Sequence, residues 1–153
     1  MNVTMEQAMA VFNAYVDREK REKVERFRHL NRFVRRGQTV LAGSSLMEQF
    51  PFYEFAQTEA LPCPVYNRGI ESMTSAEMLE NLGPCILDLE PGRLFLNIGT
   101  NDLNGPEPDV EGTLANIRAI VRRVKESLPT CGITLLAFYP VNPAVATEAS
   151  RLV

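Results

Sequence analysis

The stretch Arg93-Leu94-Phe95-Leu96-Asn97-Ile98-Gly99-Thr100-Asn101-Asp102 decides the fold. Its first six residues are a short, mostly apolar run between the turn at Pro91-Gly92 and Gly99, which predicts a buried strand. The clearest helix of the chain follows. Val110, Leu114, Ile117, Val121, Val124 and Leu128 alternate steps of four and three, Arg118, Arg122, Arg123, Lys125 and Glu126 line the other side, and Pro129 ends the pattern. Ile133–Phe138 then reads as another strand, apolar on both faces. Strand, helix, strand is the unit from which parallel sheets are built.

The same alternation extends toward the N-terminus. Thr39-Val40-Leu41-Ala42 predicts a strand stopped by Gly43-Ser44-Ser45, and Pro64-Val65-Tyr66-Asn67 a second one, with a turn at Arg68-Gly69. Thr74 or Ser75 caps a helix through Glu77–Leu82, with Thr74 and Glu77 three apart as a capping box, and Gly83-Pro84 interrupts it. Before these lies a helix over about residues 4–36. Ala8, Phe12, Tyr15, Val16, Val24, Phe27, Leu30 and Val34 recur along it, the charged run DREKREKVER is a solvated face, and Gly37 is its stop. No repeat, linker or second core is visible, so residues 1–153 read as one domain. The expected architecture is α/β: a three-layer α/β/α sandwich around a doubly wound parallel sheet.

Composition excludes several classes. A formal charge of −3 argues against a nucleic-acid surface, which shows a basic excess. No apolar run reaches the roughly 18 to 20 residues of a membrane span, and the N-terminus lacks the basic start and apolar core of a secretory signal. Cys63, Cys85 and Cys131 are odd in number and lack metal-ligand spacing, so they read as reduced thiols of a cytoplasmic protein. Asp88, Glu90, Asp102 and Asp109 are scattered and His29 is the single histidine, so no metal site is expected. Neither Gly-x-Gly-x-x-Gly nor Gly-x-x-x-x-Gly-Lys occurs, and Met47 stands where Gly-x-Ser-x-Gly needs its second glycine. No cofactor is implied.

Ligands of such sheets bind at the carboxyl ends of the strands. Three short polar loops fall there: Gly43-Ser44-Ser45-Leu46, Asn67-Arg68-Gly69-Ile70-Glu71-Ser72 and Gly99-Thr100-Asn101-Asp102. Singly, each is an ordinary turn with a helix cap. In this order, between about Val24 and Pro143, they resemble the blocks of the SGNH hydrolases, the GDSL-type lipases and acylhydrolases, and within them the bacterial branch similar to platelet-activating-factor acetylhydrolase. Gly43-Ser44-Ser45-Leu46 is similar to the first block, with Ser44 in place of its aspartate. Asn67 and Ser72 match the ends of the second, with Ser72 in place of its glycine, and Gly99-Thr100-Asn101-Asp102 matches the third in full.

The resemblance implies a sheet of flavodoxin-like order 2-1-3-4-5 and a serine esterase that cleaves a small acyl ester through an acyl-enzyme. Ser45 would be the nucleophile, and the backbone N–H of Ser45, the backbone N–H of Ser72 and the side-chain amide of Asn101 the oxyanion donors. A serine at a helix start sits where developing negative charge is favoured. The fourth block, Asp-x-x-His after a fifth strand, has no counterpart. His29 lies on the charged N-terminal helix and reads as a solvated residue. The chain is therefore expected to be a C-terminally incomplete domain, inactive alone, whose histidine base lies outside it. The alternative is a non-catalytic module that holds an anion or a partner at the same loops.

Overall fold

In the computed structural model, residues 4–59, 61, 63–104, 108–139 and 144 are described. Four strands, β1 (Thr39–Gly43), β2 (Val65–Gly69), β3 (Arg93–Asn97) and β4 (Gly132–Leu135), form one parallel sheet in the order β2-β1-β3-β4. Gly43 pairs with Gly69 on one side and with Asn97 on the other, so three strands end level. The chain reverses its direction of winding across β1, which makes the gap between β1 and β3 the switch point where such sheets bind ligands.

Helix α1 (Met5–Leu30) precedes the sheet, and the strands are connected by α2 (Ser45–Glu48), α3 (Phe52–Thr58), α4 (Ser75–Glu80), α5 (Leu82–Cys85), α6 (Thr100–Leu103) and α7 (Val110–Ser127). Side chains alternate across a strand. Val40, Ala42, Leu94 and Leu96 face one way, into a core with Val24 and Phe27 of α1, Met78 of α4, Leu82 of α5, and Ile120 and Val124 of α7. Leu41, Phe95 and Asn97 alternate with them and face the side of α2. The three-layer α/β arrangement is thus present, with a thick helical layer on one face and a thin one on the other.

Local readings differ from the structure where long-range contacts intervene. The first helix closes at Leu30 and passes through a 3-10 turn, Asn31–Phe33, instead of running to Gly37. Asn31 is held elsewhere: its amide donates to the Pro84 carbonyl at 2.8 Å, and its oxygen accepts from Arg68 Nε at 3.1 Å and Nη2 at 2.8 Å. Arg68 and Gly69 continue β2 instead of turning, because β1 pairs with both. Helix α4 has the expected capping box but ends at Glu80, and Pro84 sits in the first turn of α5, where no helical hydrogen bond is lost. Helix α3 had no counterpart among the expected elements. The expected seam of α7 is rotated: Thr113, Ile120 and Val124 are buried, whereas Val110 and Leu114 are exposed. All three cysteines are free thiols, and burial pushes the Cys85 thiol up to about 12. Among the described residues no helix is long and apolar enough to cross a membrane.

Candidate active site

Three loops leave the level ends of β1, β2 and β3 and are bonded to one another. The Ser44 N–H donates to the Asn97 carbonyl at 3.1 Å, joining the first loop to the end of β3. The Ile70 N–H donates to the Gly43 carbonyl at 3.0 Å, joining the first loop to the second. Asn67 adds a clamp: its amide donates to the Met47 carbonyl in α2 at 2.7 Å, and its oxygen accepts from the Gly69 N–H at 2.8 Å. Glu48, at the end of α2, accepts from the Glu71 N–H and from Lys23 of α1, the latter at 2.6 Å. The second and third loops are joined by Asn101, whose Nδ2 donates to the Met73 carbonyl at 2.9 Å. Asp102 completes that joint by accepting from both the backbone N–H and the hydroxyl of Ser75, the first residue of α4.

Glycine is required where these loops touch. A Cβ on Gly69 would overlap the Glu48 backbone nitrogen, so α2 can lie on β2 only because that side chain is missing.

Ser45 opens α2 and is half-buried, while Ser44 is buried as the preceding cap residue. Helix α2 is a single turn, so it sums few peptide dipoles, and its usefulness to an anion lies in its free N–H groups. Ser72 stands in the left-handed region at φ 59°, the conformation for which glycine is normally used. Asn101 is half-buried in α6.

Neither the Ser45 N–H nor the Ser72 N–H finds an acceptor among the described residues, and Asn101 uses one amide hydrogen of two. Unpaired donors of this kind at the end of a sheet suit an oxygen that carries negative charge.

No described side chain hydrogen-bonds the Ser45 hydroxyl. His29 is exposed on α1, six residues beyond Lys23, or about 9 Å further along the helix at 1.5 Å per residue. Among the described residues no group of acidic, histidine or cysteine side chains could hold a metal ion. The sequence reading missed Glu48 and Asp102 as supports of the loops. Asp102 was visible beside Asn101, but nothing local marked Glu48, whose partners lie on α1 and the second loop.

A model of the GDSL-like lipase/acylhydrolase family matches residues 41–152. No curated protein sequence matches the chain. Among solved structures it is similar to a protein described provisionally as a platelet activating factor from Streptococcus pneumonia, with 29% identity and a TM-score of 0.82 over 93% of this chain and 65% of that one. A GDSL-like lipase from Bacteroides thetaiotaomicron is 21% identical, with a TM-score of 0.61 over 73% of this chain and 56% of that one. A psychrotrophic esterase from Pseudoalteromonas sp., inhibited by monoethylphosphonate, is 20% identical, with a TM-score of 0.58 over 76% and 67%. The chain thus spans about two thirds or less of the structures it resembles.

Proposed function

The chain belongs to the GDSL-like lipase/acylhydrolase family, and from that premise we propose that it carries the nucleophile and oxyanion hole of a serine ester hydrolase. Ser45 Oγ attacks the carbonyl carbon of a small acyl ester. The carbonyl oxygen becomes an oxyanion between the Ser45 N–H, the Ser72 N–H and the free amide hydrogen of Asn101. Collapse breaks the ester bond, the alcohol leaves with the proton taken from Ser45, and water then releases the acid from the acyl-serine. Each fixed donor of such a hole typically contributes about 3 kcal/mol of transition-state stabilisation.

The observation that carries this reading is the set of three donors left without internal acceptors on loops that are bonded to each other. A serine hydroxyl with no base beside it is a weak nucleophile near neutral pH. The base in this proposal is a histidine outside these 153 residues, since His29 is remote and exposed. The same observation favours a second reading, in which the loops hold a carboxylate or phosphate without reacting.

The test is hydrolysis of p-nitrophenyl acetate and labelling by a fluorophosphonate, on the 153 residues and on the product of the whole reading frame. Activity and labelling of the longer product, abolished by Ser45→Ala and retained by Ser44→Ala, support the esterase. An inert longer product that binds acetate or phosphate at the same loops supports the second reading.

A further inference from the structure

We infer that Glu48, braced by Lys23, is a positioning residue: it holds the second loop so that the Ser72 N–H faces the oxyanion, a role that rests on the donors assigned in the esterase reading. Ser72 sits in a tight turn. The Met73 N–H donates to the Ile70 carbonyl at 3.2 Å, and of the two residues between them only Ser72 has a positive φ, 59°. That is the pattern of a type II turn, whose third residue is ordinarily glycine or asparagine. Serine in that place favours the type I turn, in which the central peptide is turned over. The central peptide is the one that carries the Ser72 N–H, so turning it over would take the donor to the opposite face of the loop. Contacts from outside the turn must therefore hold the less favoured form.

Glu48 is placed to supply one. It ends the single turn of α2 that Ser45 begins, and its carboxylate accepts from the Glu71 N–H, one peptide before Ser72. One side chain thus ties the nucleophile's helix to the donor's turn. Asn101 ties the far end of the same turn, donating to the Met73 carbonyl at 2.9 Å. The carboxylate is itself fixed. Lys23 Nζ stands 2.6 Å from its other oxygen, and both side chains are mostly buried, so the bond is charge-assisted and only weakly screened. Lys23 in turn is anchored, because Val24 and Phe27 beside it on α1 are buried in the core. Lys23, Glu71 and Ser72 line one depression of about 150 Å³. The Lys23 ammonium also offsets a negative charge that would otherwise oppose an oxyanion at these loops.

The test uses the product of the whole reading frame, with p-nitrophenyl acetate as substrate and amide hydrogen exchange as a second readout. Glu48→Leu removes the acceptor and should lower kcat roughly 10²-fold, the scale of a small misplacement at a reacting centre, with KM nearly unchanged. Glu48→Gln keeps an acceptor oxygen and should hold kcat at least about tenfold above that of Glu48→Leu. Adding Ser72→Gly to Glu48→Leu should recover kcat about tenfold, because glycine takes a positive φ as readily as a negative one. Lys23→Met should lower kcat in the parent and lower it no further in Glu48→Leu, since both act through one bond. The Glu71 N–H should exchange at least about tenfold faster in Glu48→Leu than in the parent. An unchanged kcat in Glu48→Leu, or a loss confined to KM, overturns the positioning role. So does an equal loss in Glu48→Gln without recovery by Ser72→Gly, which marks Glu48 as a support of the fold only. If the parent hydrolyses nothing, the esterase reading falls by itself. Exchange at Glu71 that Glu48→Leu speeds up then still establishes the clamp on the Ser72 turn, and exchange that is the same in both overturns it.

Discussion

Ser72 holds a φ of 59° against the steric preference of any residue with a Cβ. Ser72→Gly should relieve that strain and, net of glycine's own entropy cost, stabilise the fold by about 0.5–1 kcal/mol. The melting temperature should then rise by roughly 1–4 °C; a fall would show that the Ser72 side chain makes a stabilising contact. Asn101 acts at the reacting oxygen if the esterase reading holds. In the active, whole protein Asn101→Ala should lower kcat by about 10²–10³ and leave KM nearly unchanged, and a loss confined to KM would remove it from the mechanism. At Glu77, burial pushes the carboxyl up, but the Lys20 ammonium and the Thr74 N–H and hydroxyl outweigh it and hold the group below its ordinary value. A carboxylate depressed in the folded state stabilises the fold above its unfolded pKa, about 4.3, and loses that contribution as pH falls through the folded value. The difference in unfolding free energy between the protein and Glu77→Gln should therefore be largest near neutral pH and shrink below about pH 4. A difference that stays constant with pH would assign the effect to packing.

Among elements, the contact between α2 and β2 sets where Ser45 stands. It depends on the bare Cα of Gly69 under the Glu48 nitrogen and on the two bonds of Asn67. Gly69→Ala should cost about 1–3 kcal/mol, as overpacking does. In the whole protein it should lower activity as well, because α2 must move to admit the methyl group. Unchanged thermal unfolding would refute the close approach. Much at this scale was legible locally: the capping box of α4 and the span of α7 follow from side chains within a turn of each other. The burial of α7 did not. Its seam is chosen by what surrounds it, since Asn116 donates to Ser75 across to α4 and turns Ile120 inward.

At the scale of the whole molecule, β4 is the outer strand of the sheet and pairs only with β3 among the described residues. Leu135 is 53% exposed there, and the strand has no lysine or proline to discourage pairing with another chain. Such an edge is a template for association. The 153 residues alone should aggregate at micromolar concentration, and Leu135→Lys should raise the monomeric fraction in size-exclusion chromatography. A wild-type chain that elutes as a stable monomer would show the edge to be protected.

The sequence by itself determined the parallel α/β sheet, because strand length, helix period and turn residues are properties of neighbours along the chain. It also determined the three polar loops, because each begins within or within two residues of the end of a strand, where a glycine and polar residues break the apolar run. Tertiary structure alone decided how those loops meet. The Glu48–Glu71, Asn101–Met73 and Asp102–Ser75 bonds join residues more than twenty positions apart. It alone placed Ser72 in the left-handed region and left the buried Asn97 carboxamide without a partner among the described residues. A residue's neighbours in sequence dictate its element. Its partners across the sheet, which no local pattern encodes, dictate which donors remain free.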